Sequence, residues 1–225
     1  MHAIPKLSPA TIAIEGSQER FPIRRIFCVG QNYADHAREM GSDPDRAPPF
    51  FFSKPSDAVA ANGSRLPFPP LTSDLHHEAE LVVALGSGGA KIGAEQASAA
   101  IWGWTVGLDL TRRDLQSEAK KAGRPWDMAK GFDDSAPVGD LRPGLPPSSG
   151  AISLAVNGEL RQSGDLSQMI WSVPEIIANL STYVALAPGD LIFTGTPAGV
   201  GPIGRGDRLV ASIDGLPPLE ISFED

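Results

Sequence analysis

The sequence has very little cysteine, because Cys28 is the single one among 225 residues. A disulfide within the chain is therefore excluded, and a reducing compartment is the expected environment. No apolar run approaches the roughly 20 residues that a membrane-spanning helix needs. The first residues, MHAIPKLSPATIAIEG, lack the basic and apolar regions of a signal peptide. We therefore expect a cytoplasmic protein that does not enter a membrane.

Positive charge is also scarce, with 19 lysines and arginines against 27 acidic residues and a formal net charge of −8. No basic stripe with interleaved aromatic residues is present, which argues against nucleic acid as a partner. The serine-hydrolase pattern G-x-S-x-G is absent. Residues 199–204 match G-x-G-x-x-G, but Pro202 removes a backbone donor and the chain continues as turn and strand. Nucleotide binding is therefore not expected.

Glycine and proline are abundant, with 24 and 21 residues spread along the chain. This composition suits many short strands joined by turns. Apolar runs predict strands in RRIFCVG, AELVVALG, GWTVGLDL and DLIFTGTP. Asn157-Gly158 predicts a hairpin in ISLAVNGELRQSG, and Asp214-Gly215 predicts a second one in RLVASIDGLPPLEISF.

Four segments predict helices, namely NYADHAREMG, GAEQASAAIW, TRRDLQSEAKKAG and SVPEIIANLSTYV. Helices and strands do not alternate regularly, so a doubly wound sheet is not expected. The proline-rich segments 47–52 and 63–74 are expected to form loops over a strand core. The sequence thus predicts a strand-dominated α+β protein.

Two acidic residues lie beside a predicted strand in LHHEAELVVA. Glu78 and Glu80 are two residues apart and point to the same face of a strand, whereas Leu81 points into the core. Like charges at this spacing repel each other unless a cation lies between them. Asp109 ends another predicted strand and could complete an oxygen set for Mg²⁺, Mn²⁺ or Ca²⁺. The spacing alone also fits a solvated strand face, with Asp109 as an ion-pair partner.

Seven segments occur in a specific order: GQNYADHAREMG, FFFSKPSDAV, LHHEAELVVALG, GLDLTRRDLQ, GRPWDMAKGFDDSAPVG, VNGELRQSGDLSQMIWSVPEII and PGDLIFTGTPAGVGP. Together they resemble the fumarylacetoacetate hydrolase superfamily, and most closely its short acylpyruvate hydrolases, which include bacterial fumarylpyruvate hydrolases. The resemblance implies a mixed β-sandwich roll, a homodimer and one Mg²⁺ or Mn²⁺ per subunit. It implies a single catalytic domain over residues 25–225, with residues 1–24 as a short segment packed on the core.

The resemblance also implies roles for individual residues. The family's metal ligands correspond to Glu78, Glu80 and Asp109. Its catalytic residues correspond to His36, Glu39 and Lys130. The substrate-binding candidates are Tyr33, Arg112, Gln116, Gly195 and Thr196.

These residue types suit hydrolysis of a 2,4-dioxo acid, in which water attacks C4 and the enolate of pyruvate leaves. His36 and Glu39 share a helix face, so Glu39 can orient the imidazole that takes a proton from water. Lys130 can stabilise the oxyanion, and Thr196 can donate its hydroxyl or its backbone N–H to the substrate carboxylate. Each has an ordinary alternative: a surface helix pair, a solvated lysine and a tight turn.

The expected activity is hydrolysis of acylpyruvates, with fumarylpyruvate as the first candidate substrate. Decarboxylation of oxaloacetate or a related 2-oxo diacid, and enol–keto isomerisation in aromatic catabolism, pass through the same enolate and stay open. A non-catalytic module is disfavoured, because three ligands leave coordination positions free. The segment GSDPDRAPP is expected to close over substrate as a lid. A distal carboxylate of the substrate would need an arginine, and the sequence does not choose among Arg25, Arg38, Arg112 and Arg113.

Overall fold

The computed structural model describes residues 8–39 and 47–225. Residues 41–46 of the predicted lid lie outside the described residues. The described chain forms eighteen short strands and five α-helices. The predicted strand-dominated α+β class is therefore confirmed. None of the described helices has both the length and the apolar character that crossing a membrane requires.

The strands are short and are distributed along the described chain. They are β1 (Thr11–Ala13), β2 (Arg20–Pro22), β3 (Arg25–Gly30), β4 (Phe50–Lys54), β5 (Val59–Ala61), β6 (Arg65–Leu66), β7 (Leu75–His77), β8 (Ala79–Leu85), β9 (Ile101–Leu108), β10 (Thr111–Arg112), β11 (Ala136–Val138), β12 (Arg142–Pro143), β13 (Ala151–Val156), β14 (Glu159–Asp165), β15 (Asp190–Phe193), β16 (Gly201–Ile203), β17 (Arg208–Ile213) and β18 (Leu219–Phe223). The helices are α1 (Ala34–Glu39), α2 (Ala94–Ala100), α3 (Arg113–Ala122), α4 (Asp127–Lys130) and α5 (Val173–Tyr183).

A mixed eight-stranded sheet carries the candidate site. Its order is β4-β3-β15-β8-β9-β11-β5, and β12 pairs with β9. The central strands β8 and β9 are antiparallel, whereas β3 and β15 are parallel. A second sheet has the order β14-β13-β17-β18-β6, and a small one has the order β10-β7-β16. The eight-stranded and five-stranded sheets together form the mixed roll that the family resemblance implies.

The two main sheets share one hydrophobic core. Leu81 and Val83 of β8 belong to the same buried cluster as Leu154 of β13. Val82 on the opposite face of β8 belongs to a second cluster, which Phe21 of the β1–β2 hairpin also joins. Strand β8 is therefore buried on both faces, and Glu80 is placed in the interior of the molecule.

Most local predictions agree with the structure. Asn157 and Gly158 have φ angles of 52° and 83°, the two positive values of a type I′ turn. Helix α3 ends at Gly123 in the left-handed conformation, and α5 begins with a capping box between Ser172 and Glu175. Cys28 is fully buried in β3, as its apolar surroundings predict.

The prediction of a loop over residues 47–52 is wrong from Phe50 onward. Residues Phe50–Lys54 form edge strand β4, which pairs with β3 in the register Ile26↔Lys54. The prolines end at Pro49, so they do not interrupt the ladder. Strand β6, which pairs with β18, likewise interrupts the predicted loop over 63–74. Both pairings join segments that are distant in sequence, and local patterns do not reveal them.

Candidate active site

Three acidic side chains converge in the interior of the fold. Glu80 lies in β8, Glu78 lies in the link between β7 and β8, and Asp109 follows β9. One carboxylate oxygen from each lies within 4.8 Å of the others. Their exposed fractions are 5% for Glu78 and 1% for each of the other two. The structure therefore brings together the three residues that the sequence points to as metal ligands.

The antiparallel ladder between β8 and β9 positions this cluster. Glu80 faces Gly107 across the ladder, and the backbone N–H of Asp109 donates to the carbonyl of Glu78 at 2.9 Å. Asp109 is therefore held beside Glu78 by a main-chain hydrogen bond. Since both strands are central in the sheet, the cluster has a rigid support.

Three cations surround the carboxylates. Lys130 Nζ donates to Glu78 Oε2 at 2.8 Å and to Asp109 Oδ2 at 2.7 Å. Lys54 Nζ lies 2.8 Å from Asp109 Oδ1, and Arg113 Nη2 donates to Glu78 Oε1 at 2.5 Å. Both lysines are almost fully buried. Buried charges of both signs are thus paired, as their desolvation cost requires.

The three carboxyl groups differ in their electrostatic environment. Burial raises the pKa of Glu78, but the charges of Lys130 and Arg113 outweigh it and hold that pKa well below the usual range. Burial raises the pKa of Glu80 well above its usual value, and the charges of Asp109 and Glu78 raise it further. Glu80 is therefore the carboxylate that most needs an additional cation.

The donor set fits a hard divalent cation. All three candidate ligands offer carboxylate oxygen, which Mg²⁺ and Mn²⁺ prefer. Asp109 Oδ1 is buried and lacks hydrogen-bond geometry to any described group, although it forms an ion pair with Lys54. Glu80 Oε2 accepts a hydrogen bond from the N–H of Gly195 at 2.7 Å, which fixes the orientation of that carboxylate. These residues can therefore hold a metal ion.

His36 lies on α1 and faces the same cavity as the three carboxylates. Its Nδ1 lies 3.6 Å from Glu39 Oε2, which is longer than a hydrogen bond. Glu39 instead accepts from the backbone N–H of Gly199 at 3.0 Å. The two side chains share a helix face, as their spacing predicts. Burial lowers the pKa of His36, so the neutral imidazole is favoured and can act as a base.

The substrate-binding candidates are placed differently from one another. Gln116 and Thr196 line the cavity. The guanidinium of Arg112 stacks 4.3 Å from the ring centroid of Phe132 and is not part of the cavity wall. Its neighbour Arg113 lines the cavity and also donates to Gln116 Oε1 at 2.6 Å. Arg113, rather than the candidate Arg112, is therefore the arginine at the cavity.

Of the other two candidates, Gly195 is buried in the turn that follows β15, and Tyr33 is buried immediately before α1. Gly195 has a φ angle of 97°, and a Cβ there would lie 2.7 Å from the Cβ of Asn32. Glycine is thus required at this position. Tyr33 is 2% exposed, and its hydroxyl has no hydrogen-bond partner among the described residues.

Aromatic side chains form one wall of the cavity. Phe50 and Phe52 pack edge-on against Trp126, with ring centroids 5.5 and 5.8 Å apart. Lys120 of α3 is exposed and also lines the cavity. The cavity therefore combines a charged interior with an apolar wall and a further cation.

Sequence patterns gave no role to Lys54. It lies in FFFSKPSDAV, between the aromatic residues of an edge strand and a proline, where no periodicity distinguishes it. Its Nζ also donates to the carbonyl of Leu110 at 3.0 Å. A lysine after an apolar run is the one signal that could have indicated a buried cation.

Comparison with known proteins gives consistent matches. Residues 25–224 match the family described as fumarylacetoacetate (FAA) hydrolase C-terminal. A fumarylpyruvate hydrolase from Ralstonia is 42% identical over 175 residues, covering 77% of this chain and 91% of that protein. The mitochondrial oxaloacetate tautomerase FAHD1 of Mus musculus is 47% identical over 196 residues, covering 86% and 88%.

A solved structure matches the whole fold. It is the fumarylpyruvate hydrolase from Pseudomonas aeruginosa in complex with Mn²⁺ and pyruvate. The TM-score is 0.97, the sequence identity is 51%, and the match covers 100% of this chain and 99% of that one.

Proposed function

The chain belongs to the fumarylacetoacetate hydrolase family, and we propose that it hydrolyses the C3–C4 bond of acylpyruvates, with fumarylpyruvate as its substrate. The observation that carries this proposal is the convergence of Glu78, Glu80 and Asp109 in one cavity with His36 and Lys130. The names of the Ralstonia and Pseudomonas aeruginosa proteins support it. The products would be fumarate and pyruvate.

We assign Glu78, Glu80 and Asp109 as ligands of one Mg²⁺ or Mn²⁺ per chain. When bound, the ion supplies Lewis acidity at the 2-oxo acid end of the substrate. The Mn²⁺ and pyruvate of the Pseudomonas aeruginosa structure support both the ion and the ligand class.

His36 acts in this proposal as the general base. Water adds to C4 while the imidazole takes its proton, and cleavage then leaves the bonding electron pair on C3 as the enolate of pyruvate. The imidazolium returns the proton to C3, so the overall reaction consumes one water. Such a base contributes about 10²–10⁴-fold in rate. Glu39 can orient the ring if its side chain turns from Gly199 toward Nδ1, a separation of 3.6 Å here.

Lys130 supplies positive charge to the oxyanion that forms at C4. Burial lowers the pKa of this lysine, but the charges of Asp109 and Glu78 outweigh it and raise the pKa. The side chain is therefore a cation at neutral pH. A fixed charge in a buried site stabilises a developing anion far more than the same charge in water.

The distal carboxylate of fumarylpyruvate needs a further cation, and we assign this role to Lys120. The four arginines considered from the sequence already have partners: Arg25 pairs with Asp190, Arg38 with Asp35, Arg113 with Glu78, and Arg112 donates to the carbonyl of Met128. Lys120 lines the cavity, and its ammonium group has no hydrogen bond or ion pair within residues 8–39 and 47–225, although its backbone carbonyl accepts from Gly123. It lies one turn beyond Gln116 on the same face of α3.

Tautomerisation of oxaloacetate is the second candidate function, and the name of the Mus musculus relative favours it. It requires a proton transfer at C3 but no attacking water. Decarboxylation of oxaloacetate also needs no attacking water. Only hydrolysis needs His36 to activate water, so His36→Ala should reduce the hydrolysis rate far more than the decarboxylation rate. This difference distinguishes hydrolysis from decarboxylation in the same cavity.

The direct test is an absorbance assay with a panel of 2,4-dioxo acids in Mg²⁺, in Mn²⁺ and in EDTA. We expect metal-dependent loss of fumarylpyruvate with equal amounts of fumarate and pyruvate formed. Glu80→Gln should lose this activity, whereas Glu118→Gln, on the exposed side of α3, is the matched control and should keep it. Decay of enol-oxaloacetate without cleavage of any dioxo acid would reject the hydrolase and favour the tautomerase.

A further inference from the structure

A buried amide connects the second sheet to the candidate metal site. Gln162 lies on β14 of the five-stranded sheet and is fully buried. Its partners belong to other parts of the fold, namely the segment that joins β7 to β8 and the turn after β15. Sequence separations of 83 residues to Ala79 and 34 residues to Thr196 keep this connection out of any local pattern.

All four hydrogen-bonding positions of the Gln162 amide are used. Its Oε1 accepts from the backbone N–H of Ala79 at 3.0 Å and lies 2.9 Å from Nδ1 of His77. Its Nε2 donates to Thr196 Oγ1 at 2.8 Å and to the carbonyl of Pro197 at 2.9 Å. A primary amide has two acceptor and two donor positions, so none is left over.

The backbone partners determine the direction of every bond in this network. The N–H of Ala79 can only donate and the carbonyl of Pro197 can only accept, so the amide orientation is fixed. His77 must therefore carry its proton on Nδ1. Thr196 Oγ1 accepts from Gln162 and donates to the carbonyl of Ala79 at 2.8 Å.

This direction changes the expectation for Thr196. Its hydroxyl proton is already used by the carbonyl of Ala79, so the hydroxyl offers a ligand only a lone pair. The sequence analysis expected either the hydroxyl or the backbone N–H of Thr196 to bind the substrate carboxylate. With the hydroxyl proton in use, the backbone N–H is the donor assigned to the carboxylate.

Strand β14 also supports the turn by direct packing. A Cβ on Gly164 would lie 2.7 Å from the Cβ of Pro197, and a Cβ on Gly199 would overlap the carbonyl oxygen of Arg161. Glycine at both positions lets the turn approach β14 closely. The amide of Gln162 is therefore held at a close and well-defined contact.

We propose that Gln162 is a positioning residue that holds the segment carrying Glu78 and Glu80 in register with the Thr194–Pro197 turn. Ala79, which the amide binds, lies between the two glutamates, and the turn supplies the Gly195 N–H that binds Glu80. This role depends on the proposed metal site. Groups that orient metal ligands in this way are typically worth about 10–100-fold in metal affinity or activity.

The test is a Mn²⁺ titration followed by electron paramagnetic resonance, with thermal unfolding measured on the same samples. Gln162→Met keeps the side-chain length and removes all four hydrogen bonds. We expect its Mn²⁺ affinity to fall by about 10–100-fold. Gln162→Asn, which keeps an amide but cannot reach both sides, should shift the affinity in the same direction if Gln162→Met does not fold.

The matched control is Ile221→Ala in strand β18 of the same sheet. Ile221 is buried in the shared core, and its strand pairs with β17 and β6 rather than with β14. We expect this variant to lose thermal stability and to keep wild-type Mn²⁺ affinity. Equal affinity in Gln162→Met and wild type, with only the unfolding temperature lowered, would overturn the positioning role. Failure of the wild-type chain to bind Mn²⁺ would instead contradict the metal site itself, and with it this role.

Discussion

At the scale of single residues, the site depends on an unequal distribution of charge among three carboxylates. Glu78 and Asp109 each contact lysine or arginine nitrogen at 2.8 Å or less. Glu80 receives one backbone hydrogen bond from Gly195. Two negative neighbours and burial therefore make Glu80 the least stable carboxylate until a cation binds.

Glu80→Gln distinguishes the destabilisation caused by the buried Glu80 charge from the role of Glu80 in binding metal. Without metal, the substitution removes a buried like-charge repulsion and keeps an oxygen for the Gly195 N–H. We expect the unfolding temperature in EDTA to rise by about 2–4 °C, which corresponds to about 1 kcal/mol in a chain of this size. The stabilisation by Mn²⁺ seen in wild type should disappear. A lower unfolding temperature in EDTA, or unchanged stabilisation by Mn²⁺, would contradict the assignment.

Lys120→Met tests whether Lys120 binds the distal carboxylate of fumarylpyruvate. We expect the KM for fumarylpyruvate to rise about tenfold, equivalent to about 1.4 kcal/mol. The KM for acetylpyruvate, which lacks that carboxylate, should not change. Arg124→Met is the matched control, because Arg124 is also an exposed cation but is not part of the wall of the candidate active-site cavity. Equal KM changes for both substrates, or a larger effect of Arg124→Met, would show that Lys120 is not the reader.

The pH dependence of kcat/KM reports on His36. Burial holds its pKa below the ordinary value of 6.5, against the opposing charges of Glu78 and Glu39. The base form is neutral, so activity should be constant just above pH 6.5 and should fall as the pH drops through the lowered pKa. Steady-state rates between pH 4.5 and 8 give this profile. A fall that begins above pH 6.5 would exclude a neutral His36 as the base.

At the scale of elements, hairpins and central strands follow from the sequence because their determinants are local. Alternating apolar residues and Asn157-Gly158 specify β13 and β14, and apolar runs specify β8 and β9. Edge strand β4 does not follow, since its pairing with β3 spans a loop and leaves its aromatic residues partly exposed.

Residues that form or support the site also differ in whether local sequence patterns reveal them. Glu78, Glu80 and Asp109 are visible because carboxylates interrupt or end apolar strands. Lys54 and Gln162 cannot be recognised from the sequence, because their partners are distant in it. Lys54 is 55 positions from Asp109, and Gln162 is 83 positions from Ala79. Choosing between Arg112 and Arg113 requires the exact start of α3, which sequence patterns place only to within a residue or two.

Asn32 links the start of α1 to the rest of the site. Its Nδ2 donates to the carbonyls of Thr194 and Trp171 at 2.8 and 2.9 Å, and its Oδ1 accepts from the N–H of Trp171 at 2.7 Å. Asn32 is 1% exposed, its bond to Thr194 is buried, and its two bonds to Trp171 are partly buried. The placement of His36, four residues later, depends on this contact.

Asn32→Ala should therefore reduce both stability and turnover. Three backbone groups, one buried and two partly buried, lose their side-chain partner. The loss costs at least about 2 kcal/mol, which lowers the unfolding temperature by roughly 4–8 °C. Asn62→Ala is the matched control, because Asn62 also bonds backbone groups but is exposed. Calorimetry and kcat for both variants decide the point. Equal effects of the two substitutions would mean that Asn32 does not position α1.

At the scale of the whole molecule, the fold class and family followed from seven ordered segments rather than from any one pattern. The spatial relation of the two main sheets did not, because it depends on a core shared by distant strands such as β8 and β13. The division at residue 24, the homodimer and the cytoplasmic location stay predictions. A mass of about twice the chain's 23.7 kDa in light scattering would support the homodimer.

The central claim is that one hard cation binds where Glu78, Glu80 and Asp109 converge. The most direct measurement is an anomalous difference map from crystals of this protein soaked in Mn²⁺ and pyruvate. We predict one peak per chain within bonding distance of an oxygen from each of the three carboxylates, with pyruvate oxygens on the same ion. A peak elsewhere, or none at this cluster in a well-ordered crystal, would contradict the account.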